Sequence, residues 1–523
     1  MRTYPQTDSA QPSAAPAARR SIDFLEILKR VFSFPAMLGA LLATAVFWAK
    51  HDFNVDTDFW WHLKVGEDLL ATHHWPTTDS YSYTASGQPW IAAEWLGEVL
   101  FAGTERIGGL PALYLLLMLM GASIVLALYV LCTLRSGNSK ASFAATAILT
   151  ILALPVFHFR PQMLGFLFLV LTLIALERFR HGRARALWFL PFLFLLWVNT
   201  HGSWTIGLFC IFVYWASGLQ ERRFGAVEMR AWTISQRERL LLVFMLCLAV
   251  LPITPYGTQL AVFPVQFIGS LPVNMASINE WQPMPFDLVG AKLFLVLLFL
   301  WFAAQLVYKT SWRLEELTLY FLGIVMACLH VRFLLVFVPF FAPVFAVVVA
   351  RWIPAYERQK DQHLLNTLLM AGMLAGMIHF FPKRAEIEGD VARTYPTRAI
   401  AFMRAHPVRS PIFNTYGFGG YMEWSSGGRE KVFIDGRGEL FEPGGVFADY
   451  RYITTLRPGA LAVLNLYQVQ TCLFDRDKPL AVLLASLPEW KKVYEDDISV
   501  VLVRQNSAEA AATAVSQAGR QVP

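Results

Sequence analysis

Charge is what this sequence has least of. Only 16% of its 523 residues are Asp, Glu, Lys or Arg, and 56% are hydrophobic, with mean hydropathy +0.45. Soluble domains carry roughly 25% charged and 45–50% apolar residues. A wholly soluble chain is therefore excluded, and so are a disordered chain and a coiled coil. Cysteine is scarce too. Cys132, Cys210, Cys247 and Cys328 lie within apolar segments and Cys472 stands alone near the C-terminus, so there is neither a disulfide framework nor metal-binding cysteine spacing. Also missing is a phosphate loop: Tyr416-Gly417-Phe418-Gly419-Gly420-Tyr421 lacks both Gly-x-Gly-x-x-Gly spacing and a Gly-Lys-Ser/Thr ending, and reads as a tight turn between strands. The net charge of +6 and pI near 9.0 do not point to nucleic acid. The basic residues punctuate apolar segments, where membrane topology puts them.

Long apolar runs are abundant. Stretches of about 18 residues, enough to cross a bilayer core as helix, recur from Val31 to Phe381. The candidate spans are Val31–Ala49, Leu110–Cys132, Ala141–Val156, Gln162–Leu176, Ala186–Val198, Trp204–Leu219, Leu240–Pro252, Gly290–Tyr308, Leu314–Leu329, Phe333–Ala350 and Leu364–Phe381, about eleven in all. The first run is long for a signal-peptide core and is read as an uncleaved helix. Connections rich in Arg and Lys alternate with poor ones throughout. Those carrying Arg135/Lys140, Arg178 to Arg185, Arg222 to Arg239, Lys309/Arg313 and Arg351 to Lys360 share the side of the N-terminal tail, and the positive-inside rule makes that side cytoplasmic. The expected architecture is a polytopic α-helical membrane protein, N-in and C-out, with a C-terminal soluble α/β domain. Residues 1–30 form a disordered and basic cytoplasmic tail, 31–381 the membrane domain with an external loop at 50–109, 382–506 the outer α/β domain, and 507–523 a second disordered tail. In the outer domain, strands are expected at Pro411–Thr415, Tyr421–Trp424, Lys431–Ile434, Gln470–Phe474, Lys492–Tyr494 and Ser499–Val503, with helices at Thr397–Ala405, Val446–Thr455 and Leu480–Leu487.

Ionisable residues at the ends of membrane spans are costly and default to functional candidates unless they snorkel to the headgroups. On the outer side stand Asp56, Asp58, His62 and Glu94 in the first loop, then His158 and Arg160, Asn199 and His201, Tyr256, Glu280, and His330 and Arg332. Two carboxylates one residue apart can clamp a divalent ion such as Mg or Mn, or one can act as general base while the other orients a cation. The guanidinium groups of Arg160 and Arg332 suit a lipid phosphate, because the planar fork donates in pairs and stays protonated. Asn199 and His201 either position a hydroxylated ligand or cap two short helices. Asp79, in the same loop as Asp56, is expected to tolerate Asn with little effect on activity. Phe433-Ile434-Asp435-Gly436-Arg437 reads equally as an acceptor-binding turn or as an internal ion pair.

Together these features resemble the GT-C superfamily of integral-membrane glycosyltransferases, on the strength of the topology, Asp56-x-Asp58 after the first helix, and the interfacial helix that follows. Over nearly the whole chain the sequence is also similar to a widespread group of bacterial membrane proteins carrying the motifs seen here at Asp56–Leu63, Pro255–Gly257, Glu280–Trp281 and Phe433–Arg437. The GT-C resemblance implies a bacterial inner-membrane enzyme. It would move a hexosyl or pentosyl unit, with inversion, from a polyprenyl-phosphate carrier to a glycan, lipid or protein acceptor outside the cytoplasm. It implies Asp56 or Asp58 as general base and Arg160 and Arg332 as phosphate partners. A second distant acidic motif that holds a metal in some GT-C members has no clean match here. Two other readings stay open: a membrane transporter, and a non-catalytic assembly or scaffold protein of the envelope.

Overall fold

The computed structural model describes residues 24–505 apart from Asn54, Leu271 and Lys309. The expected disorder of 507–523 and of most of the N-terminal tail lies outside these residues. The membrane portion runs through α1 Phe24–Val31, α2 Phe34–Ala49, α3 Phe59–Thr72, α4 Trp95–Ser136, α5 Ser139–Ala153, α6 Gln162–Arg180, α7 Leu190–Val198, α8 Trp204–Ser217, α9 Ile234–Ala249, α10 Thr258–Ser270, α11 Pro272–Ser277, α12 Val289–Tyr308, α13 Leu314–Leu329, α14 Leu334–Val349 and α15 His363–His379. A small sheet on the way is made of β1 Arg222–Phe224, β2 Val227–Met229 and β3 Trp312–Arg313.

Every expected span contains a helix, but many of these helices are short. Among the described residues, four (Trp95–Ser136, Gln162–Arg180, Val289–Tyr308 and Val331–Val349) are long and apolar enough to cross a membrane. Two bent pairs, α1 with α2 at 44° and α15 with α16 (Arg384–Thr394) at 65°, raise that to six. The chain is thus a multi-pass helical membrane protein. The local sequence accounts for the shortness of α5, since a 3-10 turn at Leu154–Val156 follows it directly. It also accounts for the kink in α4: Gly109 takes φ 64°, and Pro111 follows, so the first part of α4 and the span beyond it are separate helical segments.

The ends of the helices separate two kinds of polar cluster. At the far end of α6, buried Glu177 receives Arg313 at 2.9 Å, Arg135 donates to Glu316 at 3.1 Å, and Arg180 pairs with Glu315. At ~1.5 Å per residue along α6, Glu177 and Arg180 put this network about 22–27 Å from the Gln162 end. The candidate residues gather at that other end.

The C-terminal α/β unit comprises α16, α17 Thr397–Ala405, β4 Ile412–Asn414, α18 Gly419–Ser426, α19 Gly438–Phe441, α20 Val446–Thr454, α21 Ala460–Leu466, β5 Thr471–Asp475, α22 Pro479–Ser486, β6 Trp490–Glu495 and β7 Ser499–Arg504. The sheet order is β4-β5-β7-β6, with β4 parallel to β5 and the other pairs antiparallel. Two expected strands differ. Tyr421–Trp424 is helical, within α18, because Gly419 and Gly420 bring this segment against Ile434 and against the backbone of Thr57 and Trp61. The glycines serve close packing rather than a strand turn. Lys431–Ile434 makes only one bridge, Val432 to Ser82 of the first loop. That bridge belongs to a larger joint: Trp61, Val65, Tyr81, Trp90 and Ala92 of the first loop share one hydrophobic core with Phe413, Phe433, Phe441 and Tyr450. The loop at 50–109 and the C-terminal unit are therefore packed as one body, and the Tyr416–Tyr421 segment sits against the Asp-x-Asp motif.

Candidate active site

Asp56 and Asp58 lie where the chain leaves α2 and enters α3. Asp58 holds the N-cap position of α3, yet its side chain makes no cap hydrogen bond. It turns instead to Arg160, which the bend between α5 and α6 presents. Arg160 Nη2 lies 2.7 Å from Asp56 Oδ1, and its Nη1 lies 3.0 Å from Asp58 Oδ2 and 3.3 Å from Glu280 Oε1. Arg332, at the start of the α14 span, reaches the same Glu280 oxygen at 3.3 Å and Gln162 at 3.2 Å, and its guanidinium stacks 4.1 Å over Trp281. Two arginines thus share a carboxylate and bridge segments more than a hundred residues apart.

A second group stands beside it. His62 accepts or donates at Nδ1 to buried Glu98 at 2.9 Å, and its Nε2 lies 3.6 Å from Glu94 Oε2. His201 Nδ1 accepts the Ser203 backbone N–H at 3.1 Å, which leaves the proton on Nε2, 3.4 Å from Glu94 Oε1. Glu94 is bracketed by two imidazoles.

Both groups line one cavity of about 360 Å³. Its lining joins the polar Asp58, His62, Glu94, Arg160, His201, Glu280 and Arg332 to the apolar Phe166, Ile206, Phe263, Met326, Phe333 and Val336; Phe166, Ile206 and Val336 lie a turn further into α6, α8 and α14 than Gln162, Ser203 and Arg332, which sets an apolar end among the helices beyond the polar one. The C-terminal unit closes the polar end with Tyr416, Gly436, Gly438 and Glu439. Gly436 is there because nothing larger fits: a Cβ would fall 1.8 Å from Asp58 Oδ1 and 2.8 Å from Trp61 Nε1.

Burial in this setting separates the two aspartates. For Asp56, burial favours the neutral acid, but Arg160 and the Asp58 backbone N–H outweigh it and hold the carboxyl below its usual range. For Asp58, burial wins over Arg160, and with Asp56, Glu280 and Asp435 nearby the carboxyl is pushed up to about 7. Burial likewise pushes Glu94 up to about 8, and burial beside the two arginines pushes His201 down to about 3. His62 is held well below its usual value, chiefly by burial. Both imidazoles are therefore neutral near pH 7.

Of the sequence candidates, Asp56 stands directly behind the cavity wall, holding Arg160. His158 lies 4.0 Å from Asp56 and is partly exposed. Three others hold the frame instead of facing the cavity. Asn199 bonds to the carbonyls of Leu195 and Ile253 and to the Trp95 indole. The Tyr256 hydroxyl ties Ala92 N–H to the Pro76 carbonyl. His330 bonds to the Trp281 carbonyl at 2.5 Å. The arrangement also bears on the expected divalent ion at Asp56 and Asp58: the guanidinium of Arg160 stands between the two carboxylates, in the position a bridging cation would take, so the pair as arranged does not fit a metal. Among the described residues no group of three or more His, Cys, Asp or Glu is placed to hold one.

Sequence reasoning missed Tyr416, Glu439, Trp61 and Trp90 as wall residues. The Asp435-Gly436-Arg437 turn supplies an internal ion pair as well as a wall. Arg437 binds Asp435 at 2.9 and 2.5 Å and Asp79 at 2.7 Å, which leaves Gly436 against Asp58.

No protein-family model matches the chain, and no curated protein matches it. Among solved structures, the chain is similar to ArnT from Cupriavidus metallidurans, whose crystal structure holds undecaprenyl phosphate. The TM-score is 0.48 and the identity 12%, over 92% of this chain and 98% of that one.

Proposed function

We propose that this protein is a membrane glycosyltransferase that takes a sugar from a polyprenyl-phosphate carrier and passes it to an acceptor on the outer face of the bacterial inner membrane. The observation that carries this reading is the two-ended cavity. An apolar half among membrane helices meets a polar half at Arg160, Glu280 and Arg332, which suits an amphiphile with a phosphate at the junction of its tail and head. A transporter would place its polar residues near the midplane between repeats, whereas here they lie at one end of the helices.

The chemistry follows from the two arginines and Asp58. As the sugar–phosphate bond breaks, charge builds on the departing phosphate. Arg332 has one carboxylate partner among the described residues and shares it with Arg160, so it has positive charge to offer there. The anomeric carbon passes through an oxocarbenium-like state and bonds to the acceptor oxygen, whose proton goes to Asp58. Asp56 keeps Arg160 in place. The products are the glycosylated acceptor and polyprenyl phosphate, and no metal enters any step. Sidedness supports the reading from the charge pattern, with the C-terminal unit outside the cytoplasm.

The test is release of polyprenyl phosphate from radiolabelled polyprenyl-phosphate sugars by the full chain in proteoliposomes, supplied with membrane extract as a source of acceptor. Absence of turnover across hexosyl and pentosyl donors that do bind would end the transferase reading. Arg332→Lys keeps the charge and loses the paired donors. One charge-assisted hydrogen bond of about 1.5–3 kcal/mol corresponds to at least ~10-fold in affinity, so the donor KM should rise by that factor with kcat less affected. Gly436→Ala should reduce turnover, because the new Cβ displaces the Asp58 carboxylate from Arg160 and presses on the buried Trp61 indole. Unchanged turnover in a folded Gly436→Ala protein would argue against any role for Asp58 in this position.

A further inference from the structure

A second cavity, of about 300 Å³, lies at the opposite ends of the helices from the candidate active site. Three helices begin around it: Phe34 opens α2, Lys140 stands in the first turn of α5, and Leu365 stands in the first turn of α15. The 15 residues of α5, at ~1.5 Å each, separate it by about 22 Å from the end of α5 that leads to Arg160.

Lys140 is poorly placed for the protein alone. A cation in the first turn of a helix opposes the helix dipole, and this one also faces the start of α2. It is half-buried, its ammonium stands 5.9 Å from the centre of the Phe34 ring, and it has no carboxylate partner among the described residues. Two acids line the same cavity, and both are engaged. Asp361 accepts the Phe34 N–H at 3.1 and 3.2 Å, Asn366 Nδ2 at 2.7 Å and the Tyr356 hydroxyl. Glu357 pairs with Lys360 at 2.8 Å. The anion that would balance Lys140 is left for a ligand to supply.

The rest of the lining narrows the kind of anion. Met37 lies one turn into α2 from Phe34, and Leu365 and Leu369 form a stripe along α15 that runs away from the helix ends into the apolar span. Leu365 and Leu369 are 48% and 43% exposed, so this wall opens toward the bilayer. A fitting ligand carries negative charge at the level of the helix ends, where lysines reach for headgroups, and an apolar chain running inward. Inorganic phosphate would leave the stripe uncovered, and a neutral lipid would leave Lys140 unbalanced.

We propose that this cavity binds a membrane phospholipid, with its phosphate at Lys140 and one acyl chain along Met37, Leu365 and Leu369. The site is separate from the donor cavity and does not rest on the transferase reading. It joins α2, which leads to Asp56 and Asp58, to α15, which leads to the C-terminal unit. A bound lipid thus ties together the helices that carry two parts of the donor-cavity wall.

The experiment is native mass spectrometry of the full chain released from detergent, with dioleoylphosphatidylglycerol, dioleoylphosphatidylethanolamine and dioleoylglycerol as probes. At least one of the two phospholipids should bind ~10-fold or more tightly than dioleoylglycerol, the worth of one charge-assisted contact. Lys140→Gln should lose that preference and Lys140→Arg should keep it. Arg222→Gln, at an exposed hairpin position, should keep it as well. Leu369→Trp fills the stripe without touching the charge and should weaken phospholipid binding by a similar factor. Retained binding of a polyprenyl phosphate reports folding in these variants, and Arg332→Ala should leave the phospholipid preference unchanged, so the two readings fail separately. Equal binding of dioleoylglycerol and both phospholipids, displacement of the phospholipid by inorganic phosphate, an unchanged preference in folded Lys140→Gln, an equal loss in Arg222→Gln, or wild-type phospholipid binding by Leu369→Trp would each overturn the site.

Discussion

Asp58→Asn should leave the fold intact and lower the transfer rate by at least ~10²-fold, the lower end of a general-base contribution. Asn preserves size and hydrogen bonding but cannot accept the acceptor's proton. The pH profile gives an independent signature. A carboxyl raised to about 7 is protonated below that pH and competent as a base above it. The wild-type rate should therefore climb as pH rises through about 7 and level off above it, and the residual activity of Asp58→Asn should lack that limb. Asp56→Asn should behave differently, because Asp56 is already held ionised by Arg160 at 2.7 Å. Its loss should act through Arg160, raising the donor KM, and should move the limb to lower pH without abolishing it, because the Asp56 charge is one of those that raise Asp58. Wild-type rates in Asp58→Asn across this range would remove Asp58 from the mechanism.

Arg437→Leu should cost about 3–5 kcal/mol of stability, the effect of stripping one partner from a buried ion cluster. Arg437 is fully buried. It binds Asp435 and Asp79, lies 3.6 Å from Glu423, and sits within 5.0 Å of the ring centres of Tyr81 and Trp90. Burial, together with Asp435, raises Glu423 well above its usual value, so Arg437 chiefly balances the charges of Asp435 and Asp79. Removing it leaves both acids buried and unbalanced at the joint between the first loop and the C-terminal unit. Asp79→Asn should also destabilise. Asp79 accepts from Arg437, from the backbone N–H groups of Tyr81 and Ser82, and from the Ser82 hydroxyl. Thermal unfolding of the full chain in detergent checks this, with Arg476→Leu as the control. Arg476 pairs with Asp477 at the surface, where such bridges contribute little to stability. If Arg437→Leu melted with the control, the joint would not be the anchor described here.

The pattern of what the sequence made visible has a physical cause. Helices were legible because long apolar runs have few other ways to satisfy their backbone in lipid. Helix lengths were less so, since a break such as the 3-10 turn at Leu154–Val156 ends α5 inside the run Ala141–Val156 without interrupting its hydropathy. The polar end of the cavity was legible because Asp58, Arg160, Glu280 and Arg332 are ionisable groups at the ends of apolar segments, where a charge needs a reason. Asn199 and Tyr256 carried the same positional signal but serve as backbone ties, and nothing short of their partners' positions separates the two cases. Tyr416 and Glu439 were hidden for a different reason. They belong to a unit of ordinary composition and reach the site only through packing with a loop more than 300 residues earlier in the chain. The assignment of Tyr421–Trp424 to a strand failed on the same contact, since β propensity yielded to the close approach of Gly419 and Gly420 to neighbouring backbone.

The central claim is that one cavity takes the phosphate of a lipid at its arginine junction and the chain in its apolar half. Its most direct test is equilibrium binding to the purified full chain of three ligands: a polyprenyl phosphate, the corresponding polyprenol, and inorganic phosphate. The account predicts saturable binding of the polyprenyl phosphate, with the polyprenol and inorganic phosphate each weaker by at least ~10-fold, and loss of that preference in Arg332→Ala. Equal binding of polyprenol and polyprenyl phosphate, or an unchanged preference in Arg332→Ala, would contradict it.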